Sequence, residues 1–295
     1  MTDQAAGVLR RESSLLRAVK GLALIRESPV GMIGFVIILF WVLVAIFAGF
    51  LAPFAPNATG APMTLPGGPS LDGSAIHYLG TDQLGRDILS RIIHGSRQVL
   101  LYAPLATLCA YVVGIPMGLA AGYRRGLTDD ILSFIANVIL SFPVLVLYII
   151  IIATIGASGS NIVIAVTFAS APGIMRIVRG LVLDLRNREY VFAAETRGES
   201  PWRIMLVEIL PNARGPLIVD ACLRLGYVVI TIGTLGFLGL GLPPPDPDWG
   251  GMVSETRQFA MFMPHMAIYP CIAISSLVLG FNLLADGLRE VSLRD

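Results

Sequence analysis

The run ILSFIANVILSFPVLVLYIIIIATIGASGSNIVIAVTFASAPGIM, residues 131–175, contains no charged side chain. A helix needs about 20 apolar residues to cross the hydrocarbon core of a bilayer, so this run is too long for one span. Small and polar residues, Gly156–Asn161, interrupt it, and such residues are typical of a tight turn. The run therefore predicts two membrane-spanning helices joined by a short turn.

The rest of the chain extends this pattern. Three further charge-free runs are long enough to span a bilayer: Pro29–Phe54, Gln98–Tyr123 and Gln258–Ala285. Another span, about Leu217–Leu242, is less uniform because Asp220 and Arg224 lie in it. Of the 295 residues, 55% are hydrophobic and 14% are charged, against about 25% charged residues in soluble globular proteins. We therefore expect an all-α integral membrane protein with six transmembrane helices.

Several kinds of chemistry are excluded by composition. The net charge of +1 gives no bulk attraction to nucleic acid, and the three cysteines, Cys109, Cys222 and Cys271, all lie in apolar runs. The three histidines, His77, His94 and His265, share no metal-ligand spacing, so we expect no metal site. The only lysine is Lys20, so the chain has no phosphate-binding P-loop, and a partner would have to hydrolyse any ATP.

Positive charges predict the orientation, because segments rich in Lys and Arg stay in the cytoplasm. If the N-terminus lies inside, the arginines that fall outside are Arg86, Arg91, Arg97 and Arg257. Arg224 falls within a span, and every other basic residue falls inside. We therefore expect both termini in the cytoplasm. We expect residues 1–28 to form a cytoplasmic tail with an amphipathic helix on the membrane surface, the alternative being a disordered basic tail. We expect residues 29–54 to form the first span and residues 55–96 an extracytoplasmic segment that becomes helix-like from about Leu84 to Ile93.

The inner segment between the fourth and fifth spans is long and charged. It contains EYVFAAETRGESPWRIMLVEILPN, residues 189–212. The small residues Ala193, Ala194 and Gly198 lie on one side of a short helix, where a partner surface could approach closely. On spacing alone, an ordinary amphipathic loop helix explains the segment equally well.

This segment resembles the EAA loop of ABC importer permeases, which reads Glu-Ala-Ala, three residues, Gly, nine residues, Ile, one residue, Leu-Pro. The residues that match this pattern are Ala193, Ala194, Gly198, Leu210 and Pro211. Phe192 stands in the Glu position and Glu208 in the first Ile position, so a contact made by that family carboxylate is not expected here.

Three more segments narrow the resemblance to the second permease subunit of dipeptide and oligopeptide importers. They are Leu79–Arg91, Phe237–Gly250 and Phe281–Arg289. The resemblance covers the chain from about Arg26 to Arg289. It implies the type I importer permease fold, in which a five-helix core, here about residues 97–290, follows one extra N-terminal helix.

The resemblance also implies partners and sites. The permease would pair with a sister permease, with two ATPase subunits that bind ATP and Mg, and with an extracytoplasmic substrate-binding protein, in a bacterial inner membrane. The cargo would be peptides or related small solutes. A coupling loop at about residues 186–214, within a core at 97–295, would seat in the ATPase through Tyr190, Ala193, Ala194, Glu195, Thr196, Arg197, Gly198, Leu210 and Pro211.

Other interpretations of single motifs remain open. Asp246, Asp248 and Trp249 could contact the binding protein, or the neighbouring prolines could only make a rigid turn. Gly156–Gly159 has the Gly-x-Ser-Gly form of rhomboid-type intramembrane proteases, with His265 in the last span, although such small residues usually just make a turn.

The charged residues in the fifth span also allow two interpretations. An ion-coupled secondary transporter would place Asp220 and Arg224 in its ion path. Their i, i+4 spacing also suits a local ion pair.

Overall fold

The computed structural model of this protein describes residues 28–71 and 73–292. The surface helix expected in the tail at residues 1–28 therefore lies outside the described residues, except for Ser28. The helices are α1 Pro29–Ile46, α2 Ala48–Leu51, α3 Ile88–Arg124, α4 Leu127–Ser141, α5 Val144–Ile155, α6 Gly159–Leu185, α7 Glu189–Thr196, α8 Pro201–Arg203, α9 Leu210–Phe237, α10 Trp249–Thr256 and α11 His265–Ser292.

Irregular and extended pieces complete the chain. A π-helical segment, Ile204–Ile209, joins α8 to α9, and a 3-10 turn, Arg257–Phe259, follows α10. Two short strands, β1 Gly68–Pro69 and β2 Ile76–His77, pair in antiparallel register with Gly68 opposite His77.

The spans agree with the all-α prediction. Within the described residues, α1, α3, α6, the continuous helix Pro201–Phe237 and α11 are long and apolar enough to cross a membrane, and α4 with α5 makes a sixth if the pair is one span. That third span is broken, because α4 and α5 meet at an angle of 89°. Pro143, directly before α5, has no backbone N–H and cannot continue the helix, so the sequence expectation of one regular span was wrong here.

Helix α3 joins the helix-like stretch expected at about Leu84–Ile93 and the second span into one helix. Asp87 is its N-cap and accepts a hydrogen bond from the Ser90 N–H at 2.7 Å. The predicted boundary at residues 96 and 97 therefore lies inside α3. The Arg97 guanidinium is satisfied by Nε donating to the carbonyl of Ala45 at 2.6 Å.

Helices α3 and α6 pack closely because α3 carries a row of glycines. Gly114, Gly118 and Gly122 recur at every fourth residue, and a Cβ at Gly114 or at Gly122 would lie 2.7 Å from the Cβ of a branched residue of α6. Small residues at this spacing let membrane helices approach each other closely. The same device joins α1 to α11, where a Cβ at Gly34 would lie 2.6 Å from the carbonyl oxygen of Gly280.

The loops at one end of the bundle form a compact unit, residues 52–71, 73–87 and 238–264, which we call the cap. Arg86 pairs with Asp82 at 2.6 Å and also with Glu255, so that the two parts of the cap are joined by one cation. Nδ1 of the buried His77 lies 2.9 Å from Oδ1 of Asp87. Helix α7 lies at the opposite end of the chain's long helices, in a separate cluster of buried side chains.

Candidate functional site

Helix α7 is a two-turn helix with a well-defined end. Its first turn carries Glu189, whose charge is favourable at a helix N-terminus. At its end, Gly198 adopts a φ of +72°, its N–H donates to the carbonyl of Glu195 at 2.9 Å, and the N–H of Glu199 donates to the carbonyl of Ala194 at 3.2 Å. These two bonds form a Schellman motif, which requires a left-handed residue at this position. Gly198 therefore serves to end the helix.

One face of α7 is covered by the chain itself. Val191 and Ala194 are fully buried and belong to the same apolar cluster as Ile204, Met205 and Ile209 of the π-helical segment. The expectation that Ala194 meets a partner is therefore wrong for this conformation, because its methyl group is already buried within the chain. A Cβ at Gly198 would have no neighbour within 4 Å in the chain itself, so the close approach of a partner surface at Gly198 stays a prediction.

The opposite face of α7 is open. Phe192, in the position where the family pattern has Glu, is 53% exposed, and Ala193, Thr196 and Arg197 are exposed as well. Tyr190 is half-buried, and burial raises the pKa of its hydroxyl. The face that could receive a partner therefore contains one small residue, Ala193, between the apolar Phe192 and the charged Arg197.

Ion pairs and aromatic contacts fix the surroundings of α7. The Tyr123 hydroxyl donates to Glu195 at 2.9 Å, and Glu199 pairs with Arg197 at 2.8 Å and with Arg203 at 3.2 Å. Trp202 is 49% exposed, and the guanidinium of Arg124 lies 5.4 Å from its ring centroid. These contacts tie α7 to the end of α3 and to the start of the next span.

Leu210 and Pro211 lie outside α7. The chain is one continuous helix from Pro201 to Phe237, so the coupling loop expected at about residues 186–214 contains α7 and the start of this helix. The N–H of Leu210 donates to the carbonyl of Met205, which is a π-helical bond. The next residue is Pro211, whose ring would clash with the preceding turn of a regular helix. Leu210 and Pro211 therefore belong to the membrane-spanning helix and not to α7.

Asp220 and Arg224 form the expected ion pair. Nε of Arg224 donates to Oδ2 of Asp220 at 2.7 Å, and the hydroxyl of Tyr111, on α3, donates to the same oxygen. Both charged side chains are about one-fifth exposed. In α9, Leu210–Phe237, Arg224 lies near the middle of the helix.

Of the residues expected at the binding-protein side, two are inaccessible. Trp249 is fully buried, packs edge-on against Trp41 with ring centroids 4.9 Å apart, and donates from Nε1 to the carbonyl of Ile92 at 2.9 Å. Asp248 is the N-cap of α10 and accepts from the N–H of Gly250 at 3.1 Å. Their expected partner contact is therefore wrong in this conformation, whereas Asp246 is exposed.

Asp248 has an unusual environment. Its Oδ2 is buried without a hydrogen-bond partner, and burial raises the pKa of the carboxyl to about 6. Asp248 therefore has a structural role within the cap itself.

Ser158 has a structural role. It is the N-cap of α6, and its hydroxyl accepts from the N–H of Asn161 at 3.2 Å. The side chain of Asn161 in turn donates to the carbonyls of Ile155 and Gly156, each at 2.9 Å. In the part of the chain that the structure describes, no three His, Cys, Asp or Glu side chains group as metal ligands.

Residues 114–294 match the protein family described as binding-protein-dependent transport system inner membrane component, and residues 24–66 match the N-terminal TM domain of oligopeptide transport permease C. A dipeptide transport system permease protein of Alkalihalophilus pseudofirmus is 38% identical over 266 residues, 90% of this chain and 86% of that protein. A glutathione transport system permease protein of Pectobacterium atrosepticum is 39% identical over 253 residues, 86% of this chain and 83% of that protein.

A solved structure shares the fold. The inward-facing MetNI methionine ABC transporter aligns with a TM-score of 0.58 and 19% identity, over 69% of this chain and 97% of that one. The aligned share is consistent with a core of spans that is preceded here by additional residues.

Proposed function

This chain belongs to the binding-protein-dependent transport system inner membrane components, as a permease subunit of the dipeptide and oligopeptide ABC importers, and we propose that it forms half of the pathway for peptides or related small solutes. The cargo class is supported by the named relatives, which serve dipeptide and glutathione transport systems. The other half of the pathway would come from a sister permease.

The observation that carries the proposal is the shape of α7. It is a short, capped helix between two long spans, buried on one side by Val191 and Ala194 and open on the other. Its buried side rests on Ile204, Met205 and Ile209, which belong to the continuous helix Pro201–Phe237. A force applied to the open side is therefore passed directly to a membrane-spanning helix.

We propose that the open face of α7 seats in an ATPase subunit. The contact residues would be the exposed Phe192, Ala193, Thr196 and Arg197, with Tyr190, Glu195 and Gly198 supporting the helix and its end. Two ATPase subunits, one for each permease, would bind the ATP and Mg. Closure of the ATPase pair would draw the two α7 helices together and turn the pathway outward.

The remaining partners are assigned by side. The distribution of arginines supports an orientation with α7 in the cytoplasm and the cap outside, in a bacterial inner membrane. On the cap, the exposed Asp246 is the residue through which we expect contact with a substrate-binding protein.

The proposal is tested by the size of residue 193. Ala193→Trp places a large side chain on the open face of α7 without entering the buried cluster, whereas Ala193→Ser keeps the face small. The Trp variant should insert and pair with the sister permease but recover at least tenfold less ATPase on purification, and the Ser variant should match the wild type. Equal recovery with all three chains would contradict the assignment of α7.

A further inference from the structure

Helix α9 carries a polar stripe within an apolar span. Its members recur every three or four residues and so lie on one helix face: Asp220, Arg224, Tyr227, Thr231 and Thr234. Tyr227 is 66% exposed. The hydroxyls of Thr231 and Thr234 bond to carbonyls one turn back, at 2.9 and 2.8 Å.

The stripe lies deep in the membrane. At 1.5 Å per residue, Arg224 is about 20 Å along the helix from Phe237 and about 15 Å from Arg214. The hydrocarbon core is about 30 Å thick, so Arg224 lies near its centre. A charged side chain facing lipid at that depth is unfavourable, and such residues face a protein interior or a water-filled cavity.

The guanidinium of Arg224 lies between two helices of its own chain, α9 and α6. Nε is used for Asp220, while Nη1 and Nη2 each lie 3.5 Å from where a Cβ of Gly173 would be, on α6. Because residue 173 is a glycine, it has no side chain that could contact the guanidinium. The Tyr111 hydroxyl donates to the same oxygen of Asp220, so the carboxylate is fixed by two donors from two helices.

We propose that the polar stripe lines the solute pathway and that Arg224 binds the carboxylate of the transported solute through Nη1 and Nη2. This inference rests on the proposed function, because peptides with a free C-terminus supply the carboxylate. Paired N–H donors of a guanidinium match the two oxygens of a carboxylate, and Asp220 and Tyr111 hold them in place. The site therefore favours solutes with a free carboxylate over their neutral amides.

Gly173 offers a matched test of charge at constant size. In Gly173→Asp a carboxylate of the chain itself stands before the guanidinium and competes with the solute, whereas in Gly173→Asn an amide of the same shape does not. The complete transporter, with its binding protein, is reconstituted in proteoliposomes, and uptake of trialanine and of glutathione is measured. We expect Gly173→Asp to raise KM at least tenfold over Gly173→Asn, with equal assembly of both complexes.

A second pair of measurements tests the proposal if the Gly173 variants fail to assemble. Arg224→Gln combined with Asp220→Asn removes both charges, so that neither is left unpaired in the membrane. The ratio of kcat/KM for trialanine to that for trialanine amide should fall at least tenfold from its wild-type value. The binding protein is the same in both complexes, so its own preference cancels in this comparison.

The outcomes separate the two proposals. Equal KM values for the Asp and Asn variants, or an unchanged acid-to-amide ratio in the double variant, would overturn the carboxylate site. The ion pair of Asp220 and Arg224 would then be only a structural link that faces lipid or the sister permease. A wild-type complex that takes up neither peptide when supplied with ATP would instead contradict the proposed function.

Discussion

Gly198 stands in a conformation that most residues avoid. With a φ of +72°, an L side chain there costs about 1 kcal/mol or more, whereas Asn adopts this region readily. Gly198→Ala should therefore loosen the end of α7 and raise hydrogen exchange at residues 189–199 about fivefold. Gly198→Asn should raise it less than twofold. An identical increase in both variants would show that the Schellman ending does not stabilise α7.

Asp248 is a buried acid whose pKa should make stability depend on pH. Its folded pKa of about 6 lies above its unfolded value, so the folded state binds the proton more tightly. This group therefore favours folding most at low pH, and that contribution is lost as pH rises from about 4 to about 6. Above pH 6 the buried charge costs ~3 kcal/mol by the size of the shift.

The matching experiment is Asp248→Asn, because Asn keeps the N-cap oxygen but carries no charge. The variant should unfold at a higher temperature than the wild type at pH 7.5, and this advantage should shrink towards pH 5. Asp246→Asn, at an exposed position, is the control and should shift the unfolding temperature equally at both pH values. An Asp248→Asn advantage that stays constant with pH would contradict the shifted pKa.

Among the elements, the crossing of α1 and α11 depends on glycine. A Cβ at Gly34 would lie 2.6 Å from a carbonyl oxygen of α11, while one at Gly49 would have no neighbour within 4 Å. Both changes to Ala gain similar helix propensity, so their difference isolates packing. We expect Gly34→Ala to be ~1–3 kcal/mol less stable than Gly49→Ala in thermal unfolding of the purified protein. Equal stability would mean that α1 docks more loosely than described.

The sequence predicted the spans well because apolar runs without charge have few other stable forms in a membrane. It placed the end of the extracytoplasmic segment at residue 96, because Arg91 and Arg97 were expected outside, and did not predict that one helix continues from Ile88 through this boundary. In the structure Arg91 is buried and donates to the side chain of Asn57 at 3.2 Å, so a charged residue inside the helix is satisfied by a loop far away in sequence. The break before α5 had a local signal in Pro143, which the apolar run concealed.

The site was predicted only in part. Spacing placed Ala193 and Ala194 on one short helix, but which of them is covered depends on the neighbouring segment from Ile204 to Ile209. The pairing of Asp220 with Arg224 followed from their spacing. Their link to Tyr111, 109 residues away, did not, because Tyr111 lies in an otherwise apolar run with no local signal.

At the scale of the whole molecule, the orientation in the membrane is a prediction from arginine distribution. In a cysteine-free background, Ser74→Cys on the cap and Asn187→Cys before α7 both place an exposed thiol at one end of the bundle. A membrane-impermeant maleimide added to intact cells should modify only the cap thiol, because it lies outside. Labelling of residue 187 alone would reverse the orientation, and disruption of the cells should make both thiols reactive.

The central claim is that an ATPase drives this permease through α7, and uptake by the reconstituted complex tests it most directly. Proteoliposomes with ATP inside, the sister permease, the ATPase subunits and the binding protein should take up peptide, with or without an uncoupler. Uptake should fall at least tenfold with Ala193→Trp and stay near the wild-type rate with Ala193→Ser. Uptake that continues without ATP but collapses when the uncoupler is added would contradict the account and identify an ion-coupled carrier.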